Sequence, residues 1–356
     1  MTKKLPIALF AVCILALAVG VFNAILNPAD TTSTEVVEGE ESGSLAASVI
    51  SNFKGKHLML VDLNGPIMMD GEEGLFDNDS SAVKARKGLE KALKDDNVLG
   101  VLLRINSPGG TVGMSQELHA AVVRVRDKKP VVVSFGDVAA SGGYYTACAA
   151  DKIVSNPGTL TGSIGVIIST LNFKRLMTDK LGVRSHTIKS GHFKDLLNPY
   201  REVRQDELNL VQDMIDISYD QFLNAVLEGR LKAMGIKDPA EKATWTDKIT
   251  SVADGRVLVA TEAQKMGLVD EIGDMHVAHK LLDKMSKERS GDVGRSKGEL
   301  LPLERYTDSY TLKDFLGLSS HTPIRPPKAA NPLDEAFDGM VPFSMRHPNQ
   351  PLWIME

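Results

Sequence analysis

The chain has 356 residues, of which 43% are hydrophobic and 24% are charged, and its formal net charge is -5. These proportions supply enough apolar side chains for a sizeable core and exclude a largely disordered chain. The slight acidic excess gives no sign of a nucleic-acid partner, because nucleic-acid-binding domains usually carry a basic surface.

An uncharged apolar run, LPIALFAVCILALAVGVFNAIL, occupies residues 5–26 and follows Lys3 and Lys4. At about 1.5 Å per helical residue it is long enough to cross a bilayer. Lysines before the run and acidic residues after it predict a cytoplasmic N-terminus, residues 1–4, with the rest of the chain outside. A cleaved signal peptide is the alternative, although the run is long for one and no clean small-x-small site closes it.

Three regions follow the predicted anchor. Residues 27–55 are polar, acidic and rich in serine and threonine, which predicts a flexible linker. Residues 56–288 alternate apolar runs with helical patterns, as expected of one folded domain. Residues 289–356 are rich in proline and turn residues and are predicted to form an extended C-terminal tail. Cys148 is the only cysteine beyond the anchor, so no internal disulfide is expected there.

The first half of the domain alternates strands and helices. HLMLVDLNGPIM (57–68) is strand-like, and residues 79–96 have a helical apolar pattern. The continuous apolar runs VLGVLLRI (98–105) and PVVVSF (130–135) are typical of strands buried on both faces. A helix is predicted after the Pro-Gly-Gly turn between them. This rhythm predicts an α/β domain with parallel strands.

The second half has weaker but recognisable patterns. Its predicted elements are a helix over 172–182, a strand over 185–191, a long helix over 205–235 that stops at Gly235, a strand and short helix within 255–273, and a helix over 276–288.

Two glycine-rich turns follow neighbouring predicted strands, NSPGG at 106–110 and SGG at 141–143. Turns at the carboxyl ends of parallel strands usually form the sites of α/β proteins. Together they would offer backbone N–H donors to an oxyanion and the hydroxyl of Ser141 as a nucleophile. Ser141 lies between small residues, close to a nucleophile-elbow pattern, although a serine beside Gly-Gly is more often a simple turn.

Candidate bases for Ser141 lie in KSGHFKD, residues 189–195. Histidine is the usual partner of a serine nucleophile, so a triad of Ser141, His192 and an aspartate is one possibility. Lys194 is another. The helical pair His276 and His279 lacks a third ligand, and no metal site or cofactor is predicted.

Six segments in order carry a family resemblance: INSPGG, AASGGYY, ADKI, LTGSIGV, IKSGHFKD and GRVLVATEAQKMGLVDEIG. Over roughly residues 57–285 the chain resembles bacterial signal peptide peptidase A of the short, single-repeat type. NSPGG and GLVDEIG also resemble motifs of the wider superfamily of Clp protease subunits and crotonases. The resemblance therefore implies an α/β fold made of a spiral of β-β-α units. The tail lies outside it.

The resemblance also implies roles for particular residues. It places the nucleophile at Ser141 and the base at Lys194, with Lys189 as the weaker candidate for the base. A lysine base must be neutral, and burial favours that form by disfavouring the ammonium. The remaining implied site residues are Ser163, which would orient the lysine, Gly109 and Gly142, whose N–H groups would form the oxyanion hole, and Tyr144, Tyr145, His192 and Phe193, which would line a substrate groove.

The function implied is that of a membrane-anchored serine endopeptidase with a Ser/Lys dyad, acting on remnant signal peptides or other apolar peptides. The family also implies a homo-oligomer. The expected location is the bacterial cytoplasmic membrane, with the catalytic domain in the periplasm or cell exterior. Two alternatives remain open at this stage: a crotonase-like acyl-CoA enzyme, and a non-catalytic membrane assembly factor of the same fold.

Overall fold

The computed structural model describes residues 55–69, 79–291 and 299–307, together with the backbone of residues 352–354. The chain divides after Phe53, and all described residues belong to the second of its two units. The predicted cytoplasmic segment, the predicted anchor at 5–26 and nearly all of the predicted linker lie outside the described residues. Within the described part, no helix has the length and apolar character needed to cross a membrane.

A mostly parallel sheet forms the centre of the described unit. The strands are β1 His57–Asn64, β2 Val98–Ser107, β3 Gly109–Thr111, β4 Val131–Ala140, β5 Lys152–Ser155, β6 Leu160–Gly162, β7 Val257–Val259, β8 Glu271–Ile272, β9 Leu303–Arg305 and β10 Leu352–Ile354. Their order in the large sheet is β7-β6-β4-β2-β1-β9, and β5 pairs with both β4 and β8. Only the β6–β7 pair is antiparallel among these described strands. The strands β3 and β10 form a separate antiparallel pair.

Helices cover both faces of this sheet. They are α1 Ser81–Lys94, α2 Val112–Arg126, α3 Gly142–Ala147, α4 Gln205–Met234, α5 Pro239–Thr250, α6 Ala260–Lys265 and α7 Met275–Ser290. The Ser80 hydroxyl caps α1 by accepting from the Val83 N–H. Gly235 ends α4 in the left-handed conformation, at φ 71°, as the sequence predicted.

The central strands are buried on both faces, as their continuous apolar sequences predicted. Val61 and Leu103 belong to the larger core cluster, which includes residues of α1 to α4. Leu58 and Leu102 lie in the cluster on the opposite face, with Leu282 of α7. Successive side chains of a strand point to opposite faces, so each strand needs an apolar residue at nearly every position.

The predictions fail mainly between residues 163 and 204. The predicted helix over 172–182 is helical only over residues 174–180, of which Leu176–Lys180 form a π-helical turn, and the predicted strand over 185–191 is not a strand. Large apolar side chains in this region are exposed, including Leu181 at 60% and Ile188 at 101%. Apolar periodicity gives regular structure when it has a core to pack against, and most of the large apolar side chains between residues 167 and 188 are exposed within the described chain.

Two described elements had no sequence signal strong enough to predict. Helix α5 was not predicted, and β9 lies within the predicted tail, where Leu303 pairs in parallel with Leu58 of β1. A strand of three residues is too short to show the alternation of apolar and polar residues that predicts a strand. For this reason β9 was assigned to the tail from composition alone, although it belongs to the sheet.

Candidate active site

Ser141 lies between the end of β4 and the start of α3. Its N–H donates to the carbonyl of Gly162 at 2.9 Å, and its carbonyl accepts from the N–H of Tyr145 at 2.8 Å. The side chain is fully buried, and Oγ has no hydrogen-bond partner among the described residues. A buried hydroxyl without a partner costs free energy, and such groups in native structures often have a chemical role.

The backbone of Ser141 is also strained, with φ 51° and ψ -119°. Among the described non-glycine residues, only Ser141, Ser163 and Leu197 have positive φ. Strained backbone of this kind clusters at functional sites. Two of these three residues are serines that the sequence assigned to the site.

Strand β6 places Ser163 beside Ser141. The last residue pair between β4 and β6 is Ala140 with Gly162, and each serine is the next residue of its strand. The N–H of Ser163 donates to the carbonyl of Arg256 at 2.9 Å, which holds the second serine in place. The two serines therefore follow directly after paired ends of neighbouring parallel strands, and the role of Ser163 in orienting a lysine stays a prediction.

The two predicted oxyanion donors differ in their present partners. Gly142 is the first residue of α3, so its N–H has no acceptor within the helix. The N–H of Gly109 instead donates to the Ser107 Oγ at 3.1 Å. Gly109 has φ 108°, which suits glycine, and its carbonyl accepts from the Ile67 N–H at 2.8 Å. This donor must leave Ser107 before it can bind an oxyanion.

An extended segment of the chain pairs with the strand that begins at Gly109. The backbone of β10 runs antiparallel to β3, with residue 353 opposite Gly110, and β10 also lies beside α3. One edge of β3 therefore pairs with an extended segment of the same chain.

The two lysines of the loop 189–195 differ in their contacts. Lys189 forms a short ion pair with Asp195 and donates to the carbonyl of His192 at 2.7 Å. Lys194, in contrast, is exposed and has no hydrogen bond or ion pair from its ammonium to any described residue. Lys189 has a structural role in the loop, whereas Lys194 remains available for another partner. Ser141 and Lys194 are not hydrogen-bonded to each other.

Charged residues hold this loop to the start of α4. Arg201 Nε donates to Asp195 at 2.8 Å, and Arg201 Nη1 donates to Glu207 at 2.9 Å. Hydrogen bonds from Arg201 and Lys189 hold the pKa of Asp195 well below its usual range. Glu207 is fully buried, and its pKa is lowered chiefly by Arg201. Asp195 was not predicted as a residue that holds this loop, although it is part of the KSGHFKD motif.

His192 has a carboxylate partner of its own. Its Nε2 lies 2.6 Å from Asp206 Oδ2, and both side chains are about half exposed. The His192 ring packs edge-on against Phe193 at 4.7 Å, and 42% of Phe193 is exposed. The structure therefore supplies a His–Asp pair but does not hydrogen-bond it to Ser141.

The two tyrosines after the SGG turn are buried. The Tyr144 hydroxyl donates to the Leu268 carbonyl at 2.9 Å, and burial raises its pKa well above the usual value. Tyr145 packs against His119 and Phe222, and burial raises its pKa to about 12. These contacts anchor α3 in the core. Their predicted place in a substrate groove stays a prediction.

No group of His, Cys, Asp or Glu side chains in the described part of the chain is arranged to hold a metal ion.

The chain is similar in sequence to known peptidases. Residues 124–249 match Peptidase family S49. The chain is 36% identical over 236 residues to "Putative signal peptide peptidase SppA" of Enterococcus faecium, covering 66% of this chain and 64% of that protein. It is 32% identical over 265 residues to "Protease 4" of Salmonella typhi, covering 72% of this chain and 39% of that protein. It thus spans slightly less than two thirds of the Enterococcus protein.

A solved structure, a point mutant of ClpP1 from Listeria monocytogenes, is 17% identical and superposes with a TM-score of 0.36, covering 65% of this chain and 96% of that one. A further relative, "Putative protease MJ0651" of Methanocaldococcus jannaschii, is 34% identical over 253 residues, covering 70% of this chain and 77% of that protein. With this coverage and the matched residues 124–249, the chain belongs to peptidase family S49.

Proposed function

We propose that this protein is a serine endopeptidase in which Ser141 is the nucleophile. The observation that carries the proposal is the Ser141 hydroxyl, which is buried and unpartnered among the described residues and lies on a strained turn at the N-terminus of α3. A hydroxyl so placed can attack a carbonyl that reaches it without first breaking a hydrogen bond. The N–H of Gly142 lies next to it in the chain, where an oxyanion forms.

The reaction follows from these positions. Ser141 Oγ attacks the peptide carbonyl carbon while a base takes its proton, and negative charge develops on the carbonyl oxygen. The N–H groups of Gly142 and Gly109 stabilise that oxygen, the latter after leaving Ser107. The base returns the proton to the departing amine as the C–N bond breaks. Water then hydrolyses the acyl-enzyme by the same route.

Lys194 is the proposed base, because Lys189 is already paired with Asp195. We propose that Lys194 reaches the Ser141 of a neighbouring copy in a homo-oligomer. Lys194 is exposed within a region that also exposes large apolar side chains, as an assembly surface would. The apolar residues are Ile167, Leu171, Phe173, Leu176, Leu181, Val183 and Ile188. Burial of Lys194 on assembly would favour the neutral amine that a base requires.

The proposed substrates are extended apolar peptides, remnant signal peptides among them. The pairing of β10 with β3 supports an extended substrate, because one edge of β3 already pairs with an extended segment of the chain. The name of the Enterococcus relative supports signal peptides as one class. We further propose that residues 5–26 anchor the protein in the bacterial cytoplasmic membrane, with the catalytic domain in the periplasm or cell exterior.

We also propose that the domain has the Clp/crotonase-like arrangement within the mixed α/β class. The succession β2, β3 and α2 supports this arrangement, because it forms a β-β-α unit whose two strands lie in different sheets.

A fluorophosphonate probe tests the proposed nucleophile. The full chain is incubated with the probe, digested, and examined by mass spectrometry, with Ser141→Ala as the matched variant. We expect one adduct, on the peptide that contains Ser141, and none in the variant. A folded protein whose Ser141 remains unlabelled would favour the non-catalytic assembly factor. Labelling of Ser141 without peptide cleavage, together with turnover of an acyl-CoA that survives Ser141→Ala, would favour the crotonase-like enzyme.

A further inference from the structure

Strand β4 carries an irregularity just before it reaches Ser141. Its pairing with β2 runs evenly from Val101 with Val131 to Ile105 with Phe135, and then jumps to Ser107 with Ala139. Over this interval β2 advances by two residues and β4 by four, so β4 bulges outward. Bulges beside active sites are devices that change the direction of a strand and its side chains.

The same bulge changes the neighbour of β4 on its other edge. Residues 132–134 of β4 pair with β5, whereas residues 138–140 pair with β6. This change brings the end of β4 alongside Gly162 and Ser163. At this end of β4, the N–H of Ser141 donates to the Gly162 carbonyl.

Asn106 lies opposite the bulge and fills it. Its Oδ1 accepts hydrogen bonds from the N–H groups of both Asp137 and Val138, each at 3.1 Å. Both N–H groups lie in the bulge, where the regular pairing of β4 with β2 is interrupted. A Cβ on Gly136 would come within 2.8 Å of Asn106 Cβ, so the side chain and the bulge are in close contact. On the far side, the Thr159 hydroxyl donates to the Gly136 carbonyl at 2.6 Å.

Asn106 is also linked, through the backbone of β2, to the turn that carries the predicted oxyanion donor Gly109. The next residue, Ser107, accepts the hydrogen bond from the Gly109 N–H. The amide of Asn106 therefore connects the strand that carries the nucleophile to the strand that leads into the oxyanion turn.

We propose that Asn106 is a positioning residue of the protease: its side-chain carbonyl holds the β4 bulge, and the bulge fixes Ser141 relative to the oxyanion donors. The proposal rests on the proposed peptidase function. Asn106 does not itself touch the reacting atoms, so its loss should lower the rate of the chemical step rather than the affinity for peptide.

The test compares Asn106→Ala with Asn106→Asp, which keeps the accepting oxygen at nearly the same size. For Asn106→Ala we expect kcat to fall by about tenfold or more, since small misplacements of reacting groups cost up to roughly 100-fold, with KM within about twofold of the parent. The rate of fluorophosphonate labelling should fall in parallel. Asn106→Asp should recover most of both.

Asp151→Ala is the matched control. Asp151 Oδ2 accepts from the Val131 N–H at 2.8 Å, at the opposite end of the same strand. Its loss should lower the melting temperature and leave kcat close to that of the parent. If Asn106→Ala does not fold, Gly136→Ala replaces it, because its Cβ pushes against Asn106 and should cause the same loss of kcat.

The outcomes are distinct. A folded Asn106→Ala or Gly136→Ala with parental kcat and labelling rate overturns the proposal. The proposal is also overturned if Asn106→Asp does not recover the kcat lost in Asn106→Ala. An equal loss of kcat in Asp151→Ala would overturn it too, because either result would mean that the loss comes from general destabilisation. If the parent neither cleaves peptide nor reacts with the probe, the proposed function itself fails, and the role of Asn106 fails with it.

Discussion

At the scale of single residues, Ser141 has two costly features, a positive φ and a buried hydroxyl without a partner among the described residues. Neither contributes to folding. Replacing the side chain should therefore remove activity without lowering stability, which is the opposite of what a core serine would show.

Ser141→Ala and Ser141→Gly separate these two features. Both remove the nucleophile and should lower the rate of peptide cleavage by at least about 1000-fold. Glycine also relieves the backbone strain at φ 51°, so Ser141→Gly should be the more stable of the two by up to about 1 kcal/mol. Urea denaturation of both variants measures the difference. A glycine variant clearly less stable than the alanine variant would contradict the strained conformation.

The two lysines of the loop 189–195 should behave differently. Lys194→Ala should lose cleavage activity and keep parental stability, because its ammonium has no partner in the described chain. Lys189→Ala should lose stability instead, because it removes the ion pair with Asp195. Activity assays and thermal melts on both variants measure this contrast.

His192→Ala is the decisive control for the base. If it abolishes cleavage while Lys194→Ala does not, the His192–Asp206 pair is the base and the lysine assignment is wrong.

At the scale of elements, the proposed site depends on how the loop 189–195 is attached to the neighbouring helix. The loop 189–195 is attached to α4 through Asp195, Arg201 and Glu207. Hydrogen bonds and charge lower the pKa of both carboxyls. A carboxyl with a lowered pKa in the folded state stabilises the protein at pH values above its unfolded value, about 4, and this contribution is lost as the pH falls further.

Arg201→Gln tests this attachment. The variant should be less stable than the parent near pH 7, and the difference should shrink as the pH falls from about 5 toward 2, where the carboxyls become protonated. Free energies of unfolding from urea titrations across this range measure the trend. Lys265→Gln is a suitable control, because its ion pair with Glu262 is exposed and should contribute little at any pH. A difference between parent and Arg201→Gln that does not change with pH would contradict the attachment.

Strand β10 occupies the edge of β3 that a substrate would need. Truncating the chain after residue 307 should therefore lower KM for an added peptide severalfold and leave kcat nearly unchanged, because a competing strand is removed. Steady-state kinetics of the truncated and full chains measure this. An unchanged KM would show that β10 does not compete with substrate.

The sequence predicted those elements that have a strong local pattern. Strands β2 and β4 were predicted because burial on both faces requires a continuous run of apolar residues. The long helix α4 was predicted because its helical pattern ends at a glycine, Gly235, that can adopt the left-handed conformation. The strand predicted over 185–191 did not form and the helix predicted over 172–182 is shorter than expected, because most of the large apolar side chains there are exposed. The bulge in β4 was also missed, because it depends on the pairing of Asn106 with Asp137 and Val138, which only the fold brings together.

Family resemblance supplied most of the site residues, and their roles stay predictions. The structure places Ser141 and Ser163 after paired strand ends and begins α3 at Gly142, whose N–H has no acceptor within that helix. It does not bring Lys194 to Ser141, and it shows Gly109 bound to Ser107. A reading of motifs cannot foresee either result, since neither the partners of a loop lysine nor those of a backbone N–H are encoded in short motifs.

At the scale of the whole molecule, the proposed assembly would account for both the exposed Lys194 and the exposed apolar residues between 167 and 188. If Lys194 of one copy serves Ser141 of the next, mixed oligomers contain intact sites. Subunits of Ser141→Ala and Lys194→Ala, each inactive alone, should therefore regain activity when dissociated and reassembled together. Up to about a quarter of parental activity is expected from random mixing of neighbours in a ring. No recovery in reassembled mixtures would place both residues of a working site in one copy.

The central claim is that Ser141 cleaves peptide bonds, and one measurement tests it most directly. The full chain in detergent micelles is incubated with a synthetic apolar signal peptide, and the products are identified by mass spectrometry beside the Ser141→Ala variant. The account predicts internal cleavage by the parent, giving fragments whose masses sum to that of the peptide plus one water, and none by the variant. Equal cleavage by both proteins, or an intact peptide with a folded and assembled parent, would contradict it.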